Sequence, residues 1–194
     1  VNILYNFQLL RLAGENGVAA YGVIMYVNFI FIAIFIGYSI GSAPVVGYHH
    51  GAGNSTELKS LFRKSLLLVG AAGVALTVAA EALALPLTKI FVGYDAALLA
   101  MTCRGFRLYS LSFLLTGFNI FSSGFFTALN DGFVSAVISF LRTLVFQLAA
   151  LLLLPALWGI DGVWLAVTAA ELAALAVSVY MFVTKDQKFH YRHG

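Results

Sequence analysis

Long apolar stretches alternate with short polar ones along this chain. No Asp, Glu, Lys or Arg occurs between Glu15 and Glu57, nor between Arg107 and Asp131. Runs of that length can cross roughly 30 Å of hydrocarbon as helix. Glycine-bearing segments that carry charges divide the apolar material into five blocks, and in lipid such blocks must be helical because open strands leave backbone groups unpaired. The pattern predicts an all-α, polytopic transmembrane bundle with spans at about residues 18–46, 65–85, 108–129, 133–157 and 160–183. The first span exceeds one straight crossing and is expected to tilt or break near Gly37, Gly41 and Pro44. Residues 1–12, apolar but short, are expected to end a sixth helix. A β-barrel would need alternation at every second residue, which blocks such as LLLVGAAGVALTVAA lack.

Composition agrees with a membrane protein. Of 194 residues, 61% are hydrophobic and 10% charged, with a mean hydropathy of +0.95; soluble domains are about one-quarter charged. The net charge of +3 comes from 11 basic residues scattered between apolar runs, so the basic patch that nucleic-acid binding requires is missing. The single cysteine, Cys103, rules out an intrachain disulfide and is read as a small apolar filler. The chain opens on Val1 without a charged n-region, a short apolar core or a cleavage site, and is expected to be N-terminally incomplete.

The basic residues also suggest an orientation. One set of span ends carries Lys59, Arg63, Lys64, Arg142, Lys185, Lys188 and Arg192, and the other carries Arg11, Lys89, Arg104 and Arg107. Seven against four predicts that the segment from Gly51 to Lys64 and the C-terminus are cytoplasmic.

The third span holds the densest polar pattern. Tyr109, Ser112, Thr116, Asn119, Ser123 and Thr127 are spaced 3, 4, 3, 4 and 4, which keeps all six on one helix face. Facing lipid, such a stripe is costly, so it must meet other helices or a water-filled cavity. Interhelical hydrogen bonding and a substrate-touching cavity wall both satisfy that requirement. Asn28, in the first span, has an amide that needs partners and is a further cavity or packing candidate.

Glu171 lies near the middle of the last span. An ionisable group at that depth either exchanges a proton or pairs, and Arg142 on the neighbouring span is long enough to be its partner. Glu81, close to Pro86 and Lys89, is expected at the outer interface. Adjacent His49 and His50 cannot share a helix face at metal-binding spacing and are expected in a cytoplasmic loop. No metal site, nucleophile with its base, or phosphate-cradling loop is recognisable.

In order, AGENGVAAYGVIMYV, GSAPVVGYHHGAGN followed by a basic stretch, FFTALNDGFVSAVISFLRTLVFQ and GIDGVWLAVTAAE resemble the C-terminal half of the MATE family, the multidrug and toxic compound extrusion antiporters. The resemblance covers nearly the whole chain. It implies that the five spans are the eighth to twelfth of twelve, forming the C-terminal lobe of two that enclose a central cavity, with the N-terminal lobe as an absent partner. It implies a multi-pass protein of the plasma or inner membrane that exports small organic, often cationic, compounds in exchange for Na⁺ or H⁺, with no other cofactor. Several branches of the family place an acid in the tenth helix. In SFLLTGFNIFSSG, Thr116 and Asn119 stand there instead, which implies a coupling acid in the other lobe and leaves Glu171 as the deep acid of this half. A flippase of lipid-linked saccharides from the same superfamily and a non-transporting membrane scaffold are the alternatives. The first calls for a large basic cavity, and the second for a stripe packed with no cavity beside it.

Overall fold

The computed structural model describes residues 1–191, and Arg192 of the cytoplasmic basic set lies outside them. The described chain is helical with short connections: α1 (Asn2–Gly51), α2 (Ser55–Val92), α3 (Ala96–Ser110), α4 (Phe113–Ala128), α5 (Gly132–Phe140), a π-helical turn (Leu141–Phe146) and α6 (Gln147–Phe189). Three continuous stretches, 2–51, 55–92 and 132–189, are long and apolar enough to cross a membrane, and α3 with α4, bent by 47°, passes as a fourth.

Two of these stretches double back. Gly14 (φ 63°, ψ −153°) and Gly159 (φ 56°, ψ −131°) take backbone angles that only glycine adopts readily. In a straight helix Asn2 and Tyr21 would lie about 28 Å apart, yet the Tyr21 hydroxyl donates to Asn2 Oδ1 at 3.2 Å and the Tyr5 and Tyr21 rings stack at 5.0 Å. Arg142 and Glu171 would be about 43 Å apart, yet they are in contact. Residues 2–13 and 132–158 therefore run antiparallel to the limbs that follow them, giving one short helical limb and five longer ones.

The other connections are short and capped. Asn54 accepts from the Glu57 amide, Asp95 from Ala97 and Leu98, and Asp131 from Val134; each satisfies donors that the first helical turn cannot pair internally.

Several expectations change. α1 is continuous through Gly37, Gly41 and Pro44, and its one non-helical residue is Gly14. His49 and His50 form the last turn of α1 rather than a loop. The third span begins at Ala96, well before residue 108, and bends at Leu111–Ser112. There the Ser110 hydroxyl donates to the Arg107 carbonyl and Thr116 to that of Ser112, the back-bonding by which Ser and Thr bend helices. Glu81, expected at an interface rather than in the core, is partly exposed, accepts from the Ser110 hydroxyl at 2.9 Å and lies 3.8 Å from Arg107.

The core falls into two clusters. One, at the Gly14 and Gly159 end, gathers Tyr5, Ile24, Phe106, Phe113, Leu151 and Trp164. The other is rich in aromatic residues, with Phe62 and Phe126 each in ring contact with Phe125, Phe182 and Tyr191.

Candidate functional site: a polar cavity beside a buried ion pair

Where α4, the π-helical turn and α6 meet, four polar side chains form one chain of bonds. Arg142 donates through Nε to both Glu171 oxygens at 2.9 and 3.0 Å, and its Nη2 lies 2.7 Å from Oε1. From the other side Asn119 Nδ2 donates to Glu171 Oε2 at 2.7 Å and to the Glu171 backbone carbonyl at 2.9 Å. The Ser178 hydroxyl donates to Asn119 Oδ1 at 2.9 Å, which fixes the amide so that its N–H groups face Glu171. The side chains of Arg142 and Glu171 are 18% and 7% exposed, and Asn119 and Ser178 are fully buried.

Local structure brings these groups together. Glu171 and Ser178 are seven residues apart, two helical turns, and so share a face of α6. Asn119 belongs to the polar stripe of α4. Arg142 sits in the π-helical turn, a geometry in which single widened turns frequently mark functional sites. A carboxylate left unpaired at this depth is expensive. Here arginine and amide donors compensate its charge and occupy its lone pairs.

The pair forms one wall of a cavity of about 210 Å³ whose lining includes Asn28, Tyr109, Ser112, Thr116, Arg142 and Glu171, together with Asn2, Tyr21, Thr143 and Gln147. Ten of these lining positions are polar within an otherwise apolar bundle. The expected stripe thus divides. Tyr109, Ser112 and Thr116 face the cavity, and Asn119 lies behind it against Glu171. Ser123, a cavity candidate by sequence, instead bonds Ser135 and Ser139 at 2.9 and 2.8 Å, with Thr127 donating to Ser135. That cluster is helix-to-helix packing, because α5 lies against this end of α4 and supplies Ser135 and Ser139. Arg142, counted among the cytoplasmic end charges, lies inside the bundle.

Sequence reasoning missed Ser178, although its spacing from Glu171 is the signal that finds it. Tyr21, Thr143 and Gln147 were also missed, because lone polar residues in apolar runs carry no pattern. Among the described residues no three His, Cys, Asp or Glu side chains cluster as metal ligands.

The family model MatE matches residues 1–152. Among solved structures, the fold is similar to a multidrug resistance MATE family transporter of the MOP superfamily in an outward-facing conformation, with TM-score 0.89, 19% identity and coverage of 97% of this chain and 42% of that one. It is similar also to a MOP superfamily transporter from Pyrococcus furiosus (TM-score 0.88, 19% identity, 97% of this chain and 42% of that one). The Vibrio cholerae MATE transporter VcmN in its bent form matches with TM-score 0.83, 20% identity, and coverage of 97% of this chain and 44% of that one. At these identities the likeness is one of fold, and the chain spans less than half the length of each transporter. No curated protein sequence matches the chain.

Proposed function

Since the chain belongs to the MatE family, a family of multi-pass membrane transporters, we propose that it forms one lobe of a two-lobe antiporter exporting small organic, often cationic, compounds in exchange for Na⁺ or H⁺. We place it in the plasma or inner membrane with a cytoplasmic C-terminus, and assign it no catalytic residue. The observation that carries the proposal is the polar cavity with its buried ion pair inside a bundle of this fold. A scaffold would pack its polar stripe shut, whereas Tyr109, Ser112 and Thr116 open on a cavity. A saccharide flippase calls for a basic cavity, whereas the charge of Arg142 is matched by Glu171.

Coupling needs a group that the ion occupies in one conformation and leaves in the other. Glu171 is held by Arg142 and Asn119, and we assign the main coupling acid to the other lobe. Alternating access arises from one lobe rocking against its partner, so this chain alone is expected to transport nothing.

The test is reconstitution of the complete two-lobe protein in liposomes, with ethidium flux followed under imposed Na⁺ and H⁺ gradients. Flux that follows one gradient and stops when an ionophore collapses it is the expected result. Ethidium flux indifferent to both gradients, or equal flux from liposomes holding only these 194 residues, contradicts the proposal.

A further inference from the structure

The cavity beside Arg142 and Glu171 is electrically balanced. Among the described residues they are its one charged pair, and no other acid lines it. Both Glu171 oxygens accept bonds from within the protein, so an organic cation entering the space meets no carboxylate that lacks a counter-ion. What the wall offers instead is hydrogen bonding of both kinds. Asn28 is 5% exposed, and its side-chain carbonyl oxygen has no partner among the described residues. A buried acceptor left unmatched is unfavourable, and this one belongs to a residue of the cavity lining. Arg142 has five N–H groups. Its bonds to Glu171 run through Nε and Nη2, which leaves Nη1 for an acceptor. Ser112, Tyr21 and Tyr109 also belong to the lining.

Size narrows the ligand further. About 210 Å³ is the liquid volume of roughly seven water molecules and less than the ≈ 300 Å³ at which drug-sized pockets begin. The part of the space that this lobe encloses matches one polar head group.

We propose that this cavity binds a neutral hydroxyl- or amide-bearing head group of the transported compound, which donates to Asn28 Oδ1 and accepts from Arg142. Any cationic portion of the same compound is then held outside this cavity. The inference rests on the transporter reading and names the chemical group that this lobe receives.

The test is equilibrium binding to the purified complete protein with two probes of similar aromatic part, uncharged phenyl glucoside and phenyltrimethylammonium. The wild-type protein is expected to bind the glucoside with a dissociation constant at least tenfold lower than that of the ammonium compound. Asn28→Leu, which keeps the volume and removes both hydrogen-bonding functions, is expected to cut that preference tenfold. Asn28→Asp, which adds an uncompensated carboxylate, is expected to reverse it. A preference between the two probes that is unchanged in both variants overturns the proposal without any appeal to mutant folding. Gradient-driven uptake of the ammonium probe by a protein that shows no glucoside preference sinks the cavity assignment alone. Absence of driven uptake for both probes, with the Asn28-dependent preference intact, sinks the antiporter reading and leaves the cavity assignment standing.

Discussion

Two arginine–carboxylate pairs in this bundle have nearly the same geometry and opposite surroundings. Arg104 and Asp161 meet at 2.5 Å with side chains 70% and 27% exposed, whereas Arg142 and Glu171 meet at 2.7 Å with 18% and 7% exposed. At the surface, solvent solvates either partner when the other is lost, so the contact contributes little. Inside the bundle nothing replaces a lost partner, and each charge is tolerable only because the other is present. Distance is therefore a poor guide to what a pair does, and burial together with the remaining hydrogen bonds decides it.

Substitutions sharpen that contrast, beginning with the largest effect. Glu171→Ala leaves the Arg142 guanidinium and the Asn119 amide without their acceptor and is expected to destabilise the folded bundle by about 3–5 kcal/mol, read as a lowered midpoint of unfolding in mixed detergent. Ser178→Ala strands Asn119 Oδ1 in a fully buried position and is expected to cost about 1–3 kcal/mol in the same assay. Ser135→Ala removes one member of the hydroxyl cluster around Ser123, where interhelical bonds average about 0.6 kcal/mol, and the midpoint is expected to fall only slightly. Asp161→Ala removes the exposed pair and is expected to leave the midpoint unchanged. A loss for Asp161→Ala as large as that for Glu171→Ala breaks the comparison.

Much of the fold was legible in the sequence because bilayer thickness and backbone satisfaction permit few solutions for apolar runs of this length. The reversals at Gly14 and Gly159 lie where the apolar blocks were divided. Of the expected tilt or break near Gly37, Gly41 and Pro44, the break is not found, since glycine permits a bend without forcing one, and a helix in apolar surroundings keeps its remaining backbone bonds. The early start of the third span was hidden because Thr102, Arg104 and Arg107 interrupt its apolar run, although Asp95 ahead of AALL is a capping signal.

At the site, Arg142 and Glu171 were legible as possible partners because charges at that depth need each other. Asn119 was legible as part of a stripe, but its bond to Glu171 was not, since periodicity orders a face and does not choose what it meets. Ser123 was misplaced for the same reason. The π-helical turn carrying Arg142 has no marker in FLRTLVFQ, where neither glycine nor proline occurs; a widened turn there reflects contacts made across the bundle.

A double-mutant cycle over Arg142→Met, Glu171→Met and the two combined, read by unfolding midpoints of the complete protein, tests most directly whether the pair acts as one neutral unit. Each single change is expected to cost several kcal/mol, with the double variant recovering most of the loss. Single losses that simply add, or single changes without effect, would contradict it.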